Sequence, residues 1–277
     1  MNRLLKVTGK RMLKDKILII ALLATLGISL AISLTNAPVM YGWMKAGDEV
    51  CLEQCFYNFA PLLGIIYASF VSLFVGVEYS DGTLRNKLIA GHSRTSVFLS
   101  LFAVSFAGCL LITAAWLIGS LPGIYWFGGF GFGWNGFAIN LAVMICVALS
   151  FTAIFTTMAM LIPNKALSAV ISLVLWFVML FIGSIIVNVL AAPEMIYDVV
   201  QQGDVWVNGD LIPNPDYLGG AKRKVFEFIS YIMPTCPTIN LETYEFKKSI
   251  LGIIGSIGVT LVSLVCGCIV FRKKDLK

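Results

Sequence analysis

Long apolar runs alternate with short charged ones along the chain. Six stand out, at about Ile17–Thr35, Phe56–Val77, Ser96–Leu121, Phe137–Leu161, Leu167–Ala191 and Ser249–Phe271. At about 1.5 Å of rise per residue, each makes a helix that crosses a hydrocarbon core roughly 30 Å thick. None holds Asp, Glu, Lys, Arg or His in its interior, and no charged residue lies between Thr95 and Asn164. A core helix of a water-soluble protein would keep a polar face. The pattern predicts an all-α integral membrane protein with six transmembrane helices. Composition agrees: of 277 residues 58% are hydrophobic and 13% charged, with mean hydropathy +0.89, against about 25% charged in soluble domains. The whole chain, 1–277, reads as one transmembrane domain.

The basic residues orient it. Arg3, Lys6, Lys10, Arg11, Lys14 and Lys16 precede the first span; Arg85, Lys87 and Arg94 follow the second; Lys165 follows the fourth; Arg272, Lys273, Lys274 and Lys277 follow the last. With both termini cytoplasmic, 14 of the 20 basic and 4 of the 15 acidic residues lie inside, +10 against −5 outside. That is the sense of the positive-inside rule. The first apolar run is too long for a signal peptide and reads as a retained helix. Residues 1–16 mix Leu4, Leu5, Met12 and Leu13 with bases, the pattern of an interfacial helix on an anionic leaflet.

Two outer segments have character of their own. Residues 122–136, PGIYWFGGFGFGWNG, are uncharged and aromatic, as a headgroup belt requires. The large loop at 192–248 is amphipathic. Asn208-Gly209 between apolar runs predicts a tight hairpin turn. Phe226, Ile229 and Met233 recur at helical spacing until Pro234, predicting a helix on the outer membrane face. Cys51, Cys55 and Cys236 fall outside, where a disulfide from Cys51 or Cys55 to Cys236 is permitted. Cys51 and Cys55 without a second pair or a nearby His form no metal site.

Several function classes find no support. There is no G-x-x-x-x-G-K-[ST] loop to cradle a nucleotide. No span carries the interior charge on which ion-coupled carriers depend. The one histidine is His92, in the loop after the second span, and no H-E-x-x-H or G-x-S-x-G occurs, so no acid–base or nucleophilic site is expected. Bases spread along one membrane face offer nothing to nucleic acid. Polar residues within the spans, among them Asn140, Thr152 and Thr156, are suited to bonds between helices. Asn58, Ser69, Ser72, Ser184 and Asn188 are in addition candidates for a substrate path.

With no energy source of its own, the chain needs a partner to push it, and residues 78–94 offer the place. Ser80 or Asp81 is suited to cap a helix starting at Thr83. That helix carries Leu84 and Leu88 on one face, with Arg85 and Lys87 beside them, and Gly91 ends it. Such a helix fits a groove on a soluble protein. The stretch EYSDGTLRNKLIAGHSR resembles the signature loop of ABC-2-type transporter permeases. Glu78, Gly82, Thr83, Leu84, Arg85, Asn86, Lys87, Gly91 and Arg94 carry the likeness. Six spans, a basic arm like the family's elbow helix and a large loop before the last span extend it over most of the chain.

The resemblance implies a permease of the bacterial plasma membrane, paired with a second copy or a similar chain and driven by two cytoplasmic ATPase subunits. Those subunits, not this chain, hold ATP and Mg. Glu78, Asp81, Gly82–Leu88 and Arg94 then form the coupling site. The cargo expected of so compact a member is an antimicrobial, bacteriocin-like peptide or a hydrophobic drug, moved outward. The other reading is a sensor or immunity protein that binds an extracellular peptide without moving it.

Overall fold

The computed structural model describes residues 2–202, 205–243 and 245–274. A short amphipathic helix α1 (Asn2–Leu13) leads into the first long helix, α2 (Lys16–Ala46), whose first turn Asp15 caps by accepting the Ile17 N–H at 2.8 Å. The second span is broken. Helix α3 (Leu52–Tyr57) passes through a 3-10 turn at Ala60–Leu62 into α4 (Leu63–Ser80). Pro61 explains the break: it has no N–H to give the Tyr57 carbonyl and crowds it as well. A seven-residue helix, α5 (Thr83–Ile89), joins α4 to α6 (Arg94–Ser120). Then come α7 (Pro122–Phe127), α8 (Gly133–Leu161) and α9 (Lys165–Ala191). After strands β1 (Met195–Gln202) and β2 (Val205–Pro213), helices α10 (Gly220–Ile232), α11 (Thr235–Ile239) and α12 (Phe246–Lys273) complete the order.

Among the described residues, six helical stretches are long and apolar enough to cross a membrane. They overlap all six predicted runs, but the first extends to Ala46 and the second begins at Leu52, ahead of the expected Phe56. The earlier start puts Glu53 inside the second stretch, where the sequence pattern had no charge. The stretches divide into two kinds. The most apolar part of those containing α4, α6 and α8 is 61, 56 and 50% buried; that of α2, α9 and α12 is only 22, 22 and 17% buried. The first three form the centre, where Tyr67, Phe70, Phe74, Phe98, Trp116, Phe151 and Phe155 are sealed from solvent. The other three lie against them: α2 on α6, α9 on α4, and α12 on α8.

The loop at 192–248 differs from expectation in two ways, the turn of its hairpin and its cysteine. β1 and β2 pair antiparallel, but the turn between them spans 203–204, outside the described residues. Asn208 and Gly209 lie within β2, where the register slips between Tyr197 and Val199. Two residues there face one, a bulge, which a glycine tolerates well. Helix α10 forms where the spacing predicted a helix and stops before Pro234. Arg223, Glu227, Ser230 and Tyr231 face the bundle, while Val225, Phe228, Ile229 and Ile232 are exposed. Finally, Cys51, Cys55 and Cys236 are all free thiols. Helix α11 is held to α9, with Thr235 donating to the Met179 carbonyl at 2.8 Å and Cys236 Sγ 3.8 Å from the Gly183 carbonyl, so the thiol of Cys236 is turned to span five.

The α4–α9 crossing depends on one missing side chain. A Cβ on Gly64 would collide with the buried indole of Trp176. Gly64→Leu is therefore expected to cost about 1–3 kcal/mol by overpacking, read as a lower thermal midpoint of the purified chain. Gly42→Leu, which meets open space, should hold or raise it.

Candidate functional site

The segment between α4 and α6 is shaped by two glycines. Gly82 turns the chain at φ +64 and Gly91 ends α5 at φ +86, both in the left-handed region that favours residues without Cβ. At the end of α5 the His92 N–H bonds the Lys87 carbonyl at 3.3 Å and the Gly91 N–H bonds that of Leu88 at 3.0 Å. This is a Schellman stop. The start differs from the sequence expectation. Gly82 itself occupies the cap position and no side chain caps the helix. Ser80 instead bonds back to the Val77 carbonyl and to Asp81, and both are exposed.

Glu78 is the centre of this region. Its side chain is fully buried at the end of α4 and receives three donors. Arg11 of α1 donates to Oε1; Lys87 Nζ of α5 donates to Oε2 at 2.8 Å, and Thr83 Oγ1 donates to the same oxygen. Arg11 also donates to the Phe74 carbonyl at 3.1 Å and lies over the Phe74 ring, 4.8 Å from its centre. One carboxylate thus ties α1, α4 and α5 together. Between α1 and α5 runs a groove of about 570 Å³ with Leu4, Val7 and Thr8 on one wall and Asn86, Ala90 and His92 on the other.

The two leucines do share a face of α5, but the inner one. Leu84 is 3% exposed and belongs to the protein's own core, and Leu88 leans on the same core. An apolar stripe tethered under an apolar bundle buries itself there first. Arg85, Asn86, Ile89 and Ala90 face outward, with Ile89 75% exposed. Arg94 also turns inward. It donates to the carbonyls of Phe271, at 3.2 Å, Arg272, at 3.1 Å, and Lys274, capping the end of α12. Lys274 in turn donates to the Leu161 carbonyl at 2.9 Å, the Met160 carbonyl at 3.2 Å and the Tyr79 hydroxyl at 3.0 Å. Burial pushes the Lys274 ammonium pKa down. Arg11, Tyr79 and Lys274 are the partners sequence reasoning missed. The only signal was a lone acid, Glu78, at the end of an apolar run, which needs cations nearby.

The other candidate residues do not assemble. Ser69 and Ser72 bond back to carbonyls of α4 itself, Ile65 at 2.8 Å and Ala68. Ser184 is half-buried and Asn188 exposed on α9; Asn58 is exposed at the α3–α4 break. Among the described residues, the one hydrogen bond between any two of the five is local, from the Ser72 hydroxyl to the Ser69 carbonyl at 3.3 Å within α4. On the opposite side of the bundle, Glu53 is fully buried and accepts the Phe132 N–H at 3.2 Å, fastening the aromatic, glycine-rich segment. Phe130 there stacks on Phe137, with ring centres 4.7 Å apart, while Tyr125 and Trp134 stand out at 85 and 68% exposed. Only part of that segment is available for a headgroup belt.

A bundle of six apolar helices with a short, ion-paired helix packed at one end is the architecture of a multi-pass membrane protein. Residues 40–276 match the ABC-2 family transporter proteins, and the chain belongs to that family as the membrane permease of an ABC transporter. No match is found among curated proteins.

Arg11→Met would leave one oxygen of Glu78 buried without its cation. The expected loss is about 3–5 kcal/mol, as for other buried pairs stripped of one partner, measured as a drop in thermal midpoint. Lys14→Met, at an exposed position of the same arm, should leave it unchanged.

Proposed function

We propose that the chain is the permease half of an ATP-driven exporter in the bacterial plasma membrane, with both termini cytoplasmic. Two copies of a separate ATPase subunit hold the ATP and Mg, and α5 is the coupling helix that takes up their motion. A second permease, identical or similar, completes the membrane part. The cargo is a bacteriocin-like peptide or a hydrophobic drug, moved outward.

The observation that carries this reading is the Glu78 node. A helix held only by its own backbone could swing without consequence, and a push on α5 would be lost. Here Lys87 and Thr83 transfer it to the end of α4, and Arg11 transfers it to α1. Through Tyr79 and Lys274 the same end of α4 meets α8 and the residues after α12. The broad apolar faces of α2, α9 and α12 leave room for lipid and for the second permease.

The outward side of α5 is where the ATPase is expected to sit. Arg85→Glu together with Ile89→Glu should cut co-purification of the ATPase at least tenfold and abolish ATP-driven accumulation in vesicles, with the thermal midpoint unchanged. Retained association and transport would remove the coupling role. Leu84→Glu is no substitute, because it places a charge in the core and unfolds the region. A sensor or immunity protein that only binds its peptide would give no ATP-dependent accumulation with the unaltered chain.

A further inference from the structure

We infer that the cavity under α10, on the side of the bundle opposite α5, is a binding site for the carboxylate end of an apolar peptide. Its volume is about 320 Å³ and its walls come from α8, α9, α10, α12 and the segment between the last two. That lies at the small end of the range for ligand pockets, about 300–1,000 Å³. It has room for the end of a chain rather than a whole one.

The construction of α10 is what points to a ligand. A helix at the membrane surface turns its apolar side to lipid, and Val225, Phe228 and Ile232 of α10 are exposed accordingly, while Arg223, Glu227 and Ser230, at i, i+4 and i+7, line the cavity. The helix is pressed close, since a Cβ on Gly255 of α12 would strike the Tyr231 carbonyl. Polar groups turned inward at such a seam need partners. Arg223 has only some of its own. Nε faces Glu227 at 3.3 Å and Nη2 donates to the Leu190 carbonyl at 3.0 Å. Its third nitrogen, Nη1, is buried with no hydrogen-bond partner among the described residues, while the guanidinium lies over the Tyr217 ring, 5.0 Å from its centre.

An open guanidinium donor in a small cavity selects an anionic oxygen. Glu227 and Glu245 line the same space, and Glu245 pairs with Lys248 at 2.6 Å. Two fixed carboxylates disfavour a doubly charged phosphate and admit a single negative charge. Val143, Val187, Leu190 and Leu241 supply apolar wall for the side chain next to it. That this ligand is cargo rests on the exporter reading above; the binding itself does not.

The test uses the full chain in phosphatidylcholine nanodiscs, with neither ATPase nor nucleotide, and titrates N-acetyl-Leu-Leu as free acid and as carboxamide by calorimetry. The acid should bind saturably and the amide at least tenfold more weakly. Arg223→Gln should erase that difference. Ser249→Trp, which puts an indole at another lining position and leaves Arg223 itself in place, should abolish binding of both and keeps the test decisive if the Arg223 variant does not fold. Equal binding of acid and amide, no binding of the acid, or binding unaltered by Ser249→Trp would overturn the proposal. So would loss of both acid and amide binding when phosphatidylglycerol replaces phosphatidylcholine, since an anionic lipid would then hold the site and the uncharged amide is not repelled by the bilayer surface. Each of these results leaves the exporter reading standing, because that depends on ATPase association.

Discussion

A carboxylate with no access to water must have its charge met by the protein, and Glu78 is in that position. It ends an apolar helix, where neither lipid nor core can solvate it. The cations that meet it come from α1, before the first span, and from α5, after the second. Because the penalty for an unmatched buried charge is several kcal/mol, moving either helix away from Glu78 is costly. The geometry of one face of the molecule follows from that. The amphipathic arm is drawn against α4 and α6, and the short helix is held at the same end of the bundle, with the groove between them.

The second contact region on that face works through helix ends. The last carbonyls of a helix have no partners within it. Arg94 satisfies those of α12, and Lys274, from just past α12, satisfies those of α8. The ends of α4, α6, α8 and α12 are thereby knitted together by side chains. Under the proposed coupling, a push on α5 would reach four spans, where a backbone tether would reach two.

The opposite face is organised by similar means and for another end. Glu53, also sealed from solvent, fastens the glycine-rich aromatic segment through the Phe132 N–H. Asn140 of α8 donates to the Leu241 carbonyl at 3.0 Å and fixes the short turn before α12. Between these anchors α10 holds its polar side inward. The bundle is therefore fastened at both faces, with a centre of close-packed aromatic side chains and few polar bonds between, such as that of Tyr67 to Thr113 at 2.8 Å.

Apolar period and run length determined the class of the molecule before any coordinate, since only a helix satisfies its own backbone in lipid. The six spans, the interruption at 78–94, the helix from Thr83 and its end at Gly91 were all legible for that reason: each is a local property of a few neighbouring residues. The same local pattern put Leu84 and Leu88 on one face. It could not say which way that face points, because orientation depends on what lies across from it. The hairpin was legible and its turn was not, since Asn208-Gly209 suits a bulge as well as a turn. Arg11, Tyr79 and Lys274 stand 67, 81 and 195 residues from the groups they bind, and nothing local marks such pairs. Tertiary packing alone chose them, because a buried charge or a free carbonyl is met by whichever donor the fold brings within reach.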